Sequence, residues 1–181
     1  MKKIVVVLAA VWLAAGMTAS AQMGDFGVRL GYQRLAEGDH NGAFVGGGYF
    51  RWDWHRIVMM EAAVLYHVEE VNPTTDLELF PIQLSGLIYP LRRDYQISPY
   101  ILGGAGMYIW RQVPKTGPTD SSTDFGWHLG FGVDCAINDR VFLEGDFRYI
   151  WLHTSTDNQT VADVLSNFDS WMATFGIGFR L

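Results

Sequence analysis

Eight stretches of this chain alternate apolar with polar or small side chains at a period of two, and each is 10 to 14 residues long. A period of two is that of a β-strand, whose successive side chains point to opposite faces. The strands predicted are 25–34, 43–54, 57–69, 78–90, 97–110, 125–137, 141–153 and 169–181. Between them, Trp54 to Ile57, Leu91 to Gln96 and Asn138 to Arg140 read as tight turns. The segments 35–42, 70–77, 111–124 and 154–168 read as longer polar loops. Connections that alternate between short and long require neighbouring strands to be antiparallel and sequential, with all the long loops at one end.

One face of these strands carries no charge, and it includes Phe26, Val28, Leu30 and Tyr32 in the first strand and Trp171, Phe175 and Phe179 in the last. The other face holds Arg29, Arg51, Asp53, Glu61, Asp134, Glu144, Asp146, Arg148 and Arg180, with His67, Gln83, Ser85 and His128. Alternation alone fits a soluble sandwich as well as a membrane barrel. Three features decide for the barrel. The apolar face is rich in Trp, Tyr and Phe near strand ends, where a membrane interface places rings with one wet edge. The charged face is nearly balanced, four arginines against five acids, which suits pairing in a narrow lumen. An eighth strand with an apolar outer face would be an aggregating edge unless it closed on the first, and closure also satisfies the backbone groups that lipid cannot. The fold expected is all-β: an eight-stranded antiparallel up-and-down transmembrane β-barrel. In the fifth strand both faces are apolar. There the reading puts Tyr100, Leu102, Gly104, Gly106, Tyr108 and Trp110 outward and Ile101, Gly103, Ala105, Met107 and Ile109 inward.

The first residues have the layout of a secretory signal peptide: Lys2 and Lys3, an apolar run from Ile4 to Ala15, then Ala19-Ser20-Ala21. Twelve apolar residues are too few for a spanning helix, which needs about 20. Cleavage is expected after Ala21, leaving residues 22–181 as the barrel. That removes two lysines and no acid, so 13 basic and 19 acidic residues become 11 and 19, a net charge of −8. Such a charge argues against nucleic acid as a partner. The single Cys135 permits no internal disulfide.

Ser98-Pro99-Tyr100-Ile101-Leu102-Gly103-Gly104-Ala105-Gly106, then Phe125-Gly126-Trp127-His128-Leu129-Gly130-Phe131-Gly132-Val133-Asp134, then Phe147-Arg148-Tyr149 resemble the outer-membrane β-barrel domain family, whose small members are similar to the OmpA transmembrane domain and the opacity-type proteins. The resemblance covers the mature chain and departs at Leu181, where many relatives carry Phe. It implies a place in the outer membrane of a Gram-negative cell. It also implies outer-membrane lipids and lipopolysaccharide as surroundings, and the barrel-assembly machinery as a partner during insertion. Its motifs describe architecture and imply no cofactor.

Two sets of residues follow as sites. Arg29, Arg51, Glu61, Asp134, Glu144, Asp146 and Arg148 form a polar network in the lumen, where charges out of bulk water must be paired. Arg148 is expected to pair with Glu61, Glu144 or both across neighbouring strands. Tyr32, Trp52, Trp54, Tyr66, Tyr100, Tyr108, Trp110, Trp127, Tyr149, Trp151 and Trp171 form the aromatic girdle. No catalytic or metal-binding constellation emerges. Glu37, Asp39 and His40 lack any rigid spacing, and Gly46-Gly47-Gly48 and Gly103-Gly104-Ala105-Gly106 are not phosphate loops, since no lysine-bearing helix follows.

Eight strands enclose a space that side chains can fill, so the function expected is that of a small non-enzymatic barrel. Its outer loops would serve envelope integrity, adhesion or surface recognition. Two alternatives stand beside it. An OmpW-like channel for small apolar molecules would rest on an apolar inward face of the fifth strand. A PagL-like lipid A deacylase would use Ser155 with His153 and a carboxylate such as Asp163 or Asp169, although Thr156 stands where that family has Asn. Val161, Val164, Leu165 and Phe168 recur at helical spacing and predict a short helix over 160–168, capped by Thr160.

Overall fold

The computed structural model describes residues 24–35, 42–72, 75–91, 93, 95–114, 120–153 and 170–181. Eight strands run in chain order: β1 Gly24–Leu35, β2 Ala43–His55, β3 Val58–Asn72, β4 Thr75–Ile88, β5 Ile97–Pro114, β6 Asp120–Ala136, β7 Val141–His153 and β8 Ser170–Arg180. Each pairs antiparallel with its neighbour, and β8 returns to β1, so the sheet closes with no edge. The seam runs from Asp25 opposite Arg180 to Leu35 opposite Ser170. Beyond it the Leu181 amide donates to the Gly24 carbonyl at 2.8 Å.

The short turns are held locally. In the β6–β7 turn the Asn138 side-chain oxygen accepts from the amides of Arg140 at 2.9 Å and Val141 at 2.8 Å, as Asn does in tight turns. In the β4–β5 connection the Tyr89 amide donates to Ile57 O, tying that turn to the β2–β3 turn. At the opposite end two hairpins run further than the alternation indicated. β3 and β4 stay paired up to Asn72 opposite Thr75, and β5 and β6 up to Gln112 opposite Asp120. The segments 70–77 and 111–124, expected as loops, are thus largely ladder. Above a bilayer a strand needs only backbone pairing and not an apolar face, so the period-two pattern fades there while the hydrogen bonds continue. The predicted 160–168 helix lies outside the described residues, as do Ser155, Asp163, Asp169 and the acidic segment 37–40.

Pro81 sits in the middle of β4. It has no amide to donate, and the β3–β4 pairing passes from Val64 opposite Ile82 directly to His67 opposite Leu79.

Candidate functional site

Inward-pointing side chains from seven strands meet in one charged cluster, and the register explains how so many fit. Arg29 on β1 lies opposite Gly47 on one side and Gly176 on the other. A Cβ at Gly176 would come within 2.7 Å of Glu144 Oε1 and 3.0 Å of Arg29 Cβ. Missing side chains on the wall are therefore what admit long ones to the lumen.

Glu61 on β3 is the hub. Its carboxylate takes Arg29 Nη2 at 2.6 Å, Arg51 Nε at 2.8 Å and Arg148 Nη2 at 2.7 Å. Arg51 also reaches Glu144 at 2.6 Å and Asp134 at 3.2 Å. Asp134 and Glu144 stand directly opposite one another on β6 and β7, a like-charge pair that would repel without that guanidinium between them. Arg148 adds Asp146 at 2.7 Å, Gln83 at 2.8 Å and Ser85 at 3.3 Å. Arg29 Nε lies 3.0 Å from Glu144 Oε1, near enough for an ion pair although the angle is poor for a hydrogen bond. Arg148 thus joins Glu61 but not Glu144, and it does so across the lumen from β7 to β3 rather than between neighbouring strands.

Aromatic rings complete the cluster. The Tyr49 ring lies close to two guanidiniums, with Arg29 Cζ 4.2 Å and Arg51 Cζ 4.6 Å from its centroid, so its π electrons face two of the buried cations. The Tyr100 hydroxyl donates to Asp146 at 3.1 Å, and Tyr89 donates to Asp134 at 2.8 Å. Gln83 donates to the Tyr108 hydroxyl at 3.0 Å.

These contacts correct the reading of β5. Tyr100 and Tyr108 are buried in the lumen and do not belong to the girdle, while Ile101 and Met107 are exposed on the outer wall. The physical reason is the hydroxyl: inside, both phenols find hydrogen-bond partners, whereas Ile and Met lose nothing against lipid. Ser98, in phase with both tyrosines and buried, was the signal available in the sequence. The apolar inward face that would have supported an OmpW-like channel is accordingly the outward one.

Apolar clusters flank the charged one toward either end of the lumen. Toward the long connections Val45, Leu65, Leu79, Tyr108, Ile150 and Met172 form one apolar cluster. Toward the turns Met59, Leu87, Tyr89, Tyr100 and Leu102 form a second. Beside the second, Arg93 folds back from the β4–β5 turn to pair with Asp25 and lies over the rings of Tyr89 and Phe142. Arg93, Asp25, Tyr49 and Tyr89 are not among the network residues expected from the sequence: the reach of Arg93 from a turn into the lumen has no local period, whereas Asp25 and Tyr49 stand at the inward phase of β1 and β2 and were there to be found.

Ser85 Oγ and His128 Nε2 are 2.8 Å apart. A hydroxyl beside an imidazole is the start of a nucleophile–base pair, yet both residues are almost wholly buried among Arg148, Gln83 and the barrel wall. No reacting carbonyl can reach that hydroxyl, so the pair is a wall-to-wall hydrogen bond.

On the outside, Tyr32, Trp52, Trp54, Tyr66, Trp127, Tyr149, Trp151 and Trp171 lie on the outward phase of their strands. Toward the long connections Tyr32 contacts both Phe44 and Trp171 at ring separations of 6.0 Å, Tyr66 packs on Phe80 at 4.8 Å, and Tyr149 on Trp151 at 4.9 Å. Toward the turns Phe50 stacks on Trp52, and Trp54 is exposed. The Trp110 side chain lies outside the described residues. Between these belts the wall presents exposed Leu84, Leu129, Phe131 and Phe175. An apolar band between aromatic belts, closed around a buried charged core, is the design of a barrel that crosses an outer membrane.

The chain belongs to the outer membrane protein beta-barrel domain family, whose model matches residues 5–180. Among solved structures it is similar to Neisserial surface protein A, at a TM-score of 0.68 and 14% identity over 87% of this chain and 95% of that one. It is likewise similar to the N-terminal β-barrel domain of Pseudomonas aeruginosa OprF, at 0.61 and 13% over 87% and 97%. Similarity to Ail, the attachment invasion locus protein of Yersinia pestis, is 0.59 and 12% over 90% and 100%. These likenesses show the fold. Comparison with curated protein sequences gives no match. The protein is an outer-membrane β-barrel.

Proposed function

We propose that this protein is a non-enzymatic scaffold of the outer membrane, whose specific work is done by the segments that join its strands on the cell surface, in envelope integrity, adhesion or surface recognition. The observation that carries this reading is the filled lumen. Among the described residues a charged cluster and two apolar clusters occupy the lumen, and the Ser85 hydroxyl and His128 ring are buried, which supports a wall that neither conducts nor reacts. A rigid wall that does no chemistry positions loops, and loops carry recognition.

The test replaces 36–41, 115–119 and 154–168, singly and together, by glycine-serine chains of equal length. The replaced barrels should still shift on unboiled gels, while attachment of cells to host surfaces or resistance of the envelope to detergent falls. Shortened lipid A from cells expressing the unaltered chain, lost again in Ser155→Ala, would show an enzyme instead. Swelling of liposomes by small sugars would show a pore.

A further inference from the structure

The formal charges buried in the lumen do not cancel. Arg29, Arg51 and Arg148 lie among Glu61, Asp134, Glu144 and Asp146, and none of these residues is exposed by more than 5%. At the turn end Arg93 and Asp25 pair with each other and leave the sum unchanged. Asp53 is exposed and Arg180 half-exposed at the same mouth, where water and salt screen them. Three guanidiniums against four carboxylates leave the core one negative charge in excess. A buried charge without a counter-ion is costly, and a group in that position is relieved by changing its protonation.

The hydrogen bonds single out the carboxylate that can give up its charge. Both oxygens of Glu61 accept from arginine. Asp146 takes Arg148 on both oxygens and the Tyr100 hydroxyl on one, and Asp134 takes Arg51 on both and the Tyr89 hydroxyl on one. Glu144 accepts at Oε2 alone, from Arg51 at 2.6 Å, while its Oε1 is buried without a hydrogen-bond partner. Arg29 Nε stands 3.0 Å from Oε1 but does not aim its hydrogen there. The surroundings of Glu144 are also the most acidic in the core. Asp134 stands directly across the β6–β7 ladder, Asp146 follows two residues along the same face of β7, and Glu61 on β3 shares both Arg29 and Arg51 with it. On β8 its neighbour Gly176 brings no charge. Tyr49 on β2 and Tyr100 on β5 are the remaining titratable groups beside the same guanidiniums.

We propose that the folded barrel holds one proton in its core, on Glu144 Oε1, so that the lumen is electrically neutral. The Arg51 contact at Oε2 suits the neutral acid, whose carbonyl oxygen still accepts. In the unfolded chain the same side chain meets water and is ionised at neutral pH. The folded form therefore binds one proton more than the unfolded form, and stability falls as pH rises until the proton leaves the folded barrel as well. The inference concerns the core and not the loops, so its failure leaves the loop reading untouched.

Infrared spectroscopy of the full barrel in detergent micelles, with isotope-labelled glutamate, tests it beside urea titrations. At neutral pH the parent should show the carbonyl stretch of a protonated glutamic acid, and Glu144→Gln should lack it. Between about pH 6 and 8 the folding constant of the parent relative to that of Glu144→Gln should fall on the order of tenfold per pH unit. At neutral pH Glu61→Gln should be the less stable of the two variants, since it removes a charge that the arginines need. Should Glu144→Gln fail to fold, the spectrum of the parent still decides, because absence of the band overturns the proposal. A missing band would mean that a bound sodium ion or a charge on His128 supplies the balancing cation. A band that survives in Glu144→Gln would place the proton on another glutamate and overturn the assignment. So would a parent whose stability relative to Glu144→Gln does not change with pH.

Discussion

Arg148 on β7 holds Glu61 on β3 from across the lumen, nitrogen to oxygen 2.7 Å, with neither side chain open to solvent. The bond spans the barrel rather than one ladder, so it braces two walls that share no backbone hydrogen bond. Removing one member of such a pair leaves a buried charge without its counter-ion, which costs more than the pair itself contributes. Arg148→Met leaves Asp146 with the Tyr100 hydroxyl at 3.1 Å and Arg29 at 3.9 Å, takes from Glu61 Oε1 one of its two arginine partners, and should destabilise the folded barrel by about 3 kcal/mol. Urea titration in micelles measures it. The pair Arg148→Met with Glu61→Gln should lose less than the sum of the two single changes.

The fifth strand offers a sharper test of side-chain phase. In a Cys135→Ser background, spin labels at Ile101→Cys and Met107→Cys should collide freely with oxygen dissolved in the bilayer. A label at Leu102→Cys should be shielded, or the variant should fail to fold. Oxygen accessibility at 102 matching that at 101 and 107 would refute the inward placement of Tyr100 and Tyr108.

Glycines in the wall are not equivalent. A Cβ at Gly130 would run into the Phe147 carbonyl oxygen of the neighbouring strand, whereas at Gly145 the nearest atom is a Val133 methyl at 3.9 Å. Gly130→Ala should therefore cost about 1–3 kcal/mol, as overpacking does, while Gly145→Ala should unfold with the parent in the same titration.

At the turn end Arg93 bridges Asp25 and stands 3.9 Å from Asp134. Arg93→Ala leaves both acids with less compensation and should lower stability by about 1–3 kcal/mol. It should not open a pore, because the apolar cluster of Val45, Leu65, Leu79, Ile150 and Met172 still blocks the far end. Steady channel openings of Arg93→Ala in planar bilayers would show that the Arg93 contacts alone keep the lumen shut.

What the sequence made legible follows from which forces act locally. Strand alternation is imposed by lipid on one side and a charged core on the other, so wherever the two sides differ the strand is readable: β7 was expected over 141–153 and is found there. β5 lacked that contrast because from Tyr100 to Tyr108 its inward residues are Leu102, two glycines and two tyrosines whose hydroxyls are their only polar atoms, leaving Ser98 as the one plainly polar inward residue before them. The missing information lies on other strands. Tyr100 is opposite Gly132, Tyr49 opposite Gly27 and Phe142 opposite Gly178, each ring seated where a neighbour has no side chain, and that match needs the register. The seven residues of the charged network were readable as a set, since ionisable groups at one phase in five strands have nowhere else to go. Who pairs with whom was not, because the partners stand across the lumen.

The seam between β1 and β8 sets a clock on assembly. Seven of the eight pairings join strands adjacent in sequence, and one joins Asp25 to Arg180. Pairing of distant segments is slow because the intervening chain must first be brought into place. Until it forms, β1 and β8 both present open backbone edges and Arg29 lacks one wall of its socket. A chain in which that pairing has not formed carries two unpaired strand edges, and such edges pair with other unfolded chains unless they are shielded.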